Sequence, residues 1–282
     1  MHSVLLPRAL LSIVALCSLG SLPCFAQVDP WEFEVYPYST TPRGMAEFET
    51  DNSVVTRGHP DGGEGTAAGT LPSQGMWSNA YELSYGLTDR IEGAIYLNMA
   101  RPEGGGLRWA GDNIRLRGRL FDEGVLPVDV GWYAELEWHK TPQFDDATRE
   151  LEFRPILEKD IGLFSIMVNP KLEKVLAGAG HDQGFEFGYD AGIRFRWTRA
   201  LSPGLEFYGG AGLVDGLDSP REQQHCVFPV VWGALPHGLE YNIGVGYGLT
   251  RASDHVIVKF NLELERFVGA WLKASADGGW FF

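Results

Sequence analysis

The stretch from Leu239 to Phe267, LEYNIGVGYGLTRASDHVIVKFNLELERF, limits what this chain can become more than any other. In its first arm Leu239, Tyr241, Ile243, Val245, Tyr247 and Leu249 alternate with Glu240, Asn242, Gly244, Gly246 and Gly248. In its second, Val256, Val258, Phe260, Leu262 and Leu264 alternate with Ile257, Lys259, Asn261, Glu263 and Glu265. A period of two is that of a strand, whose side chains point to opposite faces in turn. Each arm runs to about ten residues, longer than the usual strand of a soluble sheet and equal to the tilted strand that crosses a bilayer. The spacing therefore predicts a hairpin of a membrane barrel.

The rest of the chain repeats the scheme. Strands are expected near 43–55, 77–86, 90–100, 113–120, 128–139, 149–160, 165–176, 185–197, 205–212 and 226–232, which with the last hairpin makes about twelve. Connections alternate between long polar loops, such as the Gly- and Asp-rich 57–75, and short links, such as Leu87-Thr88-Asp89. Membrane barrels show this asymmetry, with long loops outside and tight turns on the periplasmic side. Trp77, Trp138, Trp197 and Trp232 fall near strand ends, where interfacial aromatics gather. The fold class is all-β: a transmembrane antiparallel up-and-down barrel of about twelve strands. The rival, a soluble sandwich or ligand-binding barrel, is disfavoured by strand length, loop asymmetry and the export signal described next.

The chain opens MHSVLLPRALLSIVALCSLGSLPCFAQ, with His2 and Arg8 before an apolar run and small residues ahead of Gln27. That pattern reads as a secretory signal peptide, residues 1–26, too short in its apolar part for a spanning helix. Of three cysteines only Cys226 lies beyond it, so no internal disulfide is expected in the exported chain. The formal net charge of −14 argues against nucleic acid as a partner. Residues 27–42, rich in aromatics and proline, are expected as a periplasmic lead-in that straps or plugs the barrel. The barrel itself would occupy 43–267, and 268–282 would form a C-terminal tail.

A charge facing lipid near mid-bilayer costs about 2–4 kcal/mol for Arg or Lys, so the polar parity of each strand must face inward. The predicted lumen residues are Arg115, Arg117, Arg119, Glu135, Glu137, Glu150, Glu152, Arg154, Lys171, Glu173, Glu186, Asp190, Arg194, Arg196, Glu240 and Lys259. Opposed acidic and basic ladders can set a field that selects small polar or charged solutes, or can pair and fill the interior. The three arginines on one face of 113–120 would, as Gln, shift selectivity toward cations. Gly244, Gly246 and Gly248 are expected to bend the closing hairpin, to leave room for a neighbouring tyrosine in the lumen, or to keep a pore open.

For catalysis the only local combinations are His181-Asp182 and Ser253-Asp254-His255, in predicted outer loops and without a distinguishing motif. His59, His181 and His225 have no metal-ligand spacing. No catalytic residue, metal or cofactor is expected, and a lipid hydrolase at the outer rim remains the rival class.

His225-Cys226-Val227-Phe228-Pro229 followed by NIGVGYGLTRASDHVIVK, with YELSYGLTDRIEGAIYLN, LPVDVGWYAELEW and LEFRPILEKDIG upstream, resembles uncharacterised transporter-like outer-membrane β-barrels of Gram-negative bacteria. These are grouped loosely with outer-membrane proteins of phenol-degradation pathways. The resemblance spans most of 31–267 and implies an outer-membrane barrel with no defined substrate. Its members end on an aromatic closing strand that the barrel assembly machinery reads. Phe267 matches that stop, although VGAWLKASADGGWFF continues past it. Expected partners are outer-membrane lipid and lipopolysaccharide, the assembly machinery and small solutes. Porin-like transport is the expected role.

Overall fold

The computed structural model describes residues 28–60 and 70–265. Its strands are β1 (Ala46–Arg57), β2 (Trp77–Gly86), β3 (Ile91–Arg101), β4 (Arg108–Arg119), β5 (Asp129–His139), β6 (Ala147–Ile161), β7 (Phe164–Gly178), β8 (Glu186–Phe195), β9 (Ser202–Leu213), β10 (Gly216–Leu217), β11 (Gln224–Ala234), β12 (Leu239–Gly248) and β13 (Val256–Leu264). β10 is a two-residue extension that pairs only with the end of β9. The twelve long strands each have an antiparallel partner on both sides, and the β1–β13 ladder, with Ser53 opposite Lys259, joins the first strand to the last. The sheet is a closed twelve-strand barrel. Closure leaves no edge whose N–H and C=O groups would be stranded in hydrocarbon.

The alternation of the sequence becomes an inside and an outside. On β3, Ile95 is 57% exposed while Glu92 is fully buried. On β9, Leu205 is exposed and Glu206 buried; on β12 and β13, Ile243 is exposed and Lys259 buried. The outward surface is thus a band of Leu, Ile, Val, Phe and Tyr, the reverse of a soluble protein, and it fits lipid as its solvent. Among the described residues no helix is long and apolar enough to cross a membrane, and the strands do the crossing.

Several bounds differ from expectation. β4 starts at Arg108, because Arg108 and Trp109 pair with Ala100 and Met99 past a bulge at Asn98/Met99, where the glycine-bearing sequence had read as loop. β6 and β7 extend to a tight turn at 162–163, where Gly162 takes a positive φ of 61°. Trp232 is not an interfacial aromatic. It shares the inward parity of Phe228 and Val230, packs against their cluster and lies under Arg194, 5.6 Å from its guanidinium. The proposed leader, Phe267 and the tail lie outside the described residues.

The glycine stripe of β12 has a packing reason. A Cβ on Gly246 would sit 2.2 Å from Cζ of Phe228, and one on Gly244 would meet Val230 at 2.6 Å. The expected tyrosine is not the neighbour: Gly246 makes room for the Phe228 ring, Gly244 for Val230, and Gly248 for the Asp254 carbonyl. Gly246→Val should therefore cost about 1–3 kcal/mol through overpacking. Urea unfolding in detergent, followed by heat-modifiable mobility, should show the loss, and Phe228→Ala in the same chain should recover part of it. On the outer face, Ile95→Arg should cost about 2–4 kcal/mol in a bilayer; an equal unfolding midpoint in lipid vesicles would place that face elsewhere.

Candidate functional site

The interior of the barrel is occupied by its own chain. Residues 28–42 run through the lumen from the end bearing the long loops to the end bearing the short turns. At the first end Val28 N–H donates to Gln224 (3.0 Å), Trp31 Nε1 donates to the Met99 carbonyl (3.0 Å), and the Trp31 ring meets Phe144 edge-on. Midway, Tyr36 N–H donates to Asn169 Oδ1 (2.8 Å) and Asn169 Nδ2 returns a bond to the Tyr36 carbonyl (3.1 Å). At the other end Tyr38 N–H donates to Glu158 (2.7 Å) and Thr41 N–H to Glu92 (2.5 Å). Pro30, Pro37 and Pro42 lack the N–H that a ladder needs, which suits this segment to side-chain rather than sheet hydrogen bonding. The expectation of a lead-in beneath the barrel gives way to its other form, a plug.

Each buried apolar cluster includes a residue of this segment. Phe33 and Val35 pack with Met167, Tyr208, Phe228 and Ile257; Trp31 packs with Met76, Ala80 and Tyr96; Tyr36 packs with Tyr133 and Ile156. Aromatic and aliphatic plug residues thus supply the core that an inward-polar barrel otherwise lacks.

Around them the lumen charges pair. Arg154 donates to Glu32 of the segment (2.6 Å), to Asp190 (3.1 Å) and to Glu152. Arg115 bridges Glu82 (2.5 Å) and Glu92 (2.8 Å), and Arg117 Nε also reaches Glu92 at 2.8 Å. The Tyr36 ring lies 4.9–5.3 Å from the guanidinium carbons of Arg117, Arg115 and Arg154, a cation–π arrangement on the ring's electron-rich faces. Lys171 pairs with Glu173 (3.0 Å) and Glu152 (3.6 Å). Lys259 donates to Glu206, Tyr208 (3.0 Å) and the Phe33 carbonyl (2.9 Å).

Of the predicted lumen residues, Arg115, Arg117, Glu135, Glu137, Glu152, Arg154, Lys171, Glu186, Asp190 and Lys259 are buried within the barrel. Glu150, Glu173, Arg194 and Glu240 are half-buried toward its ends. Arg119 and Arg196 depart from expectation. Arg119 bonds the Asp89 carbonyl at the short-turn rim, and Arg196 follows β8 and pairs with Asp160 at the same rim, both partly in solvent. Arg115, Arg117 and Arg119 are therefore not one ladder: the first two are locked in ion pairs and the third is a rim residue. Glu32, Glu34, Tyr36, Glu49, Asp51, Glu82 and Glu92 were not among the predicted residues. The run Glu47, Glu49, Asp51 on one parity of β1 was the available signal; Glu32 and Glu34 alternate with Trp31, Phe33 and Val35, but their segment joins no ladder that would place them.

The catalytic and metal combinations do not assemble as the sequence order suggested. Ser253 accepts from His225 N–H (2.7 Å) and donates to its carbonyl (2.9 Å), Asp254 accepts from Ser73 (2.5 Å), and His255 lies beside His59. The three neighbours face three different partners. Burial lifts the Asp254 carboxyl above its ordinary range against the pull of the Ser73 hydrogen bond. His181 bonds the Gly178 carbonyl, the His225 ring meets Tyr189 at 3.1 Å, and the His59 ring meets the Ser253 carbonyl at 3.2 Å. At the long-loop end His139 instead gathers Glu137, Asp145 and Glu150 within 3.7–3.8 Å.

Among solved structures the chain is similar to the COG4313 outer-membrane channel from Pseudomonas putida F1, with a TM-score of 0.54 and 11% identity over 82% of this chain and 100% of that one. It is more loosely similar to the transport unit of the autotransporter AIDA-I from Escherichia coli (TM-score 0.38, 12% identity, 83% and 93% covered). Salmonella typhi OmpF follows with a TM-score of 0.34 at 7% identity, covering 78% of this chain and 96% of that one. No family model and no curated protein matches the chain. At 11% identity the first likeness establishes the barrel fold and nothing finer; the looser two carry no argument.

The Lys259 cluster generates a direct test. Truncating one member of a buried pair leaves the other charge uncompensated, at about 3–5 kcal/mol. Glu206→Ala should cost that much in urea unfolding, while Glu206→Gln with Lys259→Met, which removes both charges, should cost clearly less.

Proposed function

We propose that this protein is an outer-membrane barrel that passes small polar or charged solutes through a narrow lumen gated by residues 28–42. The observation that carries the reading is how the segment is held. Its interior contacts with the wall are side-chain hydrogen bonds, ion pairs and ring contacts rather than a ladder, so it can shift without opening the sheet. Removing it would uncover a polar, charged tunnel suited to water and ions rather than to apolar cargo. The long loops would then face the exterior with lipopolysaccharide around them, and the short turns the periplasm. The assembly machinery would insert the barrel after signal-peptide cleavage. The channel role is supported, at the level of fold, by the Pseudomonas putida likeness. No chemical step is assigned to it.

The wall left by the segment is richer in acids than in bases: the buried Asp51, Glu82, Glu92, Glu135, Glu137, Glu152, Glu186, Asp190 and Glu206 stand against Arg115, Arg117, Arg154, Lys171 and Lys259. Cations should pass in preference to anions. In planar bilayers the intact protein should give small or rare conductance steps. A variant lacking 28–41 should give larger, reproducible steps with a reversal potential on the cation side in a salt gradient. Anion selectivity would contradict the charge argument.

The filled lumen also favours a second reading, a barrel that does not conduct. Silence from the deletion variant, verified as folded by heat-modifiable mobility, would establish that reading in place of the first.

A further inference from the structure

The pairing that organises the lumen fails in one place. Glu34 of the plug, Glu49 and Asp51 of β1, and Glu82 of β2 bring one carboxylate oxygen each to within 4.8 Å of one another. Glu82 is shared with Arg115, but among the described residues no Lys or Arg forms an ion pair with Glu34, Glu49 or Asp51. The neighbouring Lys259 is committed to Glu206, Tyr208 and Phe33. Asp51 is 1% exposed, and neither of its carboxylate oxygens has a hydrogen-bond partner; Glu34 Oε2 is likewise unpartnered. Burying several uncompensated carboxylates together is among the costliest arrangements in a protein, and a bound cation is the direct way to offset it.

We propose that Glu34, Glu49, Asp51 and Glu82 form a calcium site that clamps the plug to the barrel wall. The donor set is entirely carboxylate oxygen, which suits a hard cation and excludes a nitrogen- or sulfur-selecting metal. The number of carboxylates chooses between hard cations: calcium takes six to eight oxygens in a flexible shell, whereas magnesium keeps several of its waters and is usually held through one or two carboxylates. Four carboxylates offer enough oxygens for calcium's coordination number with a few waters. Three ligands come from the two adjacent strands β1 and β2, which the register holds rigidly with Glu49 opposite Glu82. The fourth, Glu34, comes from the segment, so the ion joins plug to wall. The site stands on its own geometry and holds whether or not the barrel conducts.

The test is equilibrium dialysis of the full-length protein, solubilised in detergent free of lipopolysaccharide, against Ca2+ alone, with folding scored by heat-modifiable mobility. Saturable binding at a single site is expected, with Mg2+ a poor competitor. Asp51→Asn, Glu49→Gln and Glu34→Gln, which relieve repulsion and so keep the fold, should each weaken it by about tenfold or more. Chelation should lower the thermal midpoint of the parent protein and leave that of Asp51→Asn unchanged. Absence of saturable binding, or binding unaltered in Asp51→Asn and Glu49→Gln, overturns the site. Binding unaltered in Glu34→Gln alone overturns the clamp.

Discussion

The structure turns on the burial of Arg154. Its guanidinium is held by Glu152 and Asp190 of the wall and by Glu32 of the plug, with Tyr133 and Tyr36 rings against it. Moving such a group out of water costs several kcal/mol, a loss offset only when its donors are matched in good geometry. Two wall carboxylates meet part of that demand and the plug supplies the rest. The same logic recurs at Lys259, which takes Glu206 from the wall and the Phe33 carbonyl from the plug, and at Glu92, whose other oxygen receives Thr41 N–H.

These contacts follow from the inversion that a bilayer imposes. Lipid takes the apolar parity of every strand, which sends the charged parity into a narrow interior. An interior of charges can be hydrated, paired or filled. This barrel does the last two together: ion pairs line the wall, while Trp31, Phe33, Val35 and Tyr36 fill the axis and create the apolar clusters. Gly244 and Gly246 are the counterpart on the wall, small enough to admit Val230 and Phe228 beside the plug. Function, in this account, is a question of how the plug is released, and the acidic cluster around Asp51 is where its attachment is electrostatically least complete.

Much of the barrel is legible in the sequence because strand periodicity is local. Alternation over Leu239–Gly248 and Val256–Leu264 marks the closing hairpin and its inward face without knowledge of any partner. The inward placement of Arg115, Glu152, Arg154 and Lys259 follows from parity alone. What parity cannot supply is the content of the lumen. The 28–42 segment has no regular secondary structure, and its acids and aromatics are placed by contacts more than a hundred residues distant, such as Tyr36 with Asn169. For the same reason Trp232 reads as an interfacial aromatic until its inward neighbours are known, and Arg119 reads as lumenal until β4 is seen to end at the rim. The single-site acids Glu34 and Asp51 meet only once the plug is in place.

Occupation of the lumen is the central claim, and a disulfide tests it directly. A Cβ on Gly192 would lie 3.7 Å from that of Val35, within the span a disulfide bridges. With Cys226 replaced by alanine, Val35→Cys and Gly192→Cys should form a cross-link under mild oxidation in intact cells, detected as one linked peptide pair by mass spectrometry. Near-complete linkage is the predicted result. Free thiols at both positions, in a barrel that is folded, would contradict it and return the segment to the periplasm.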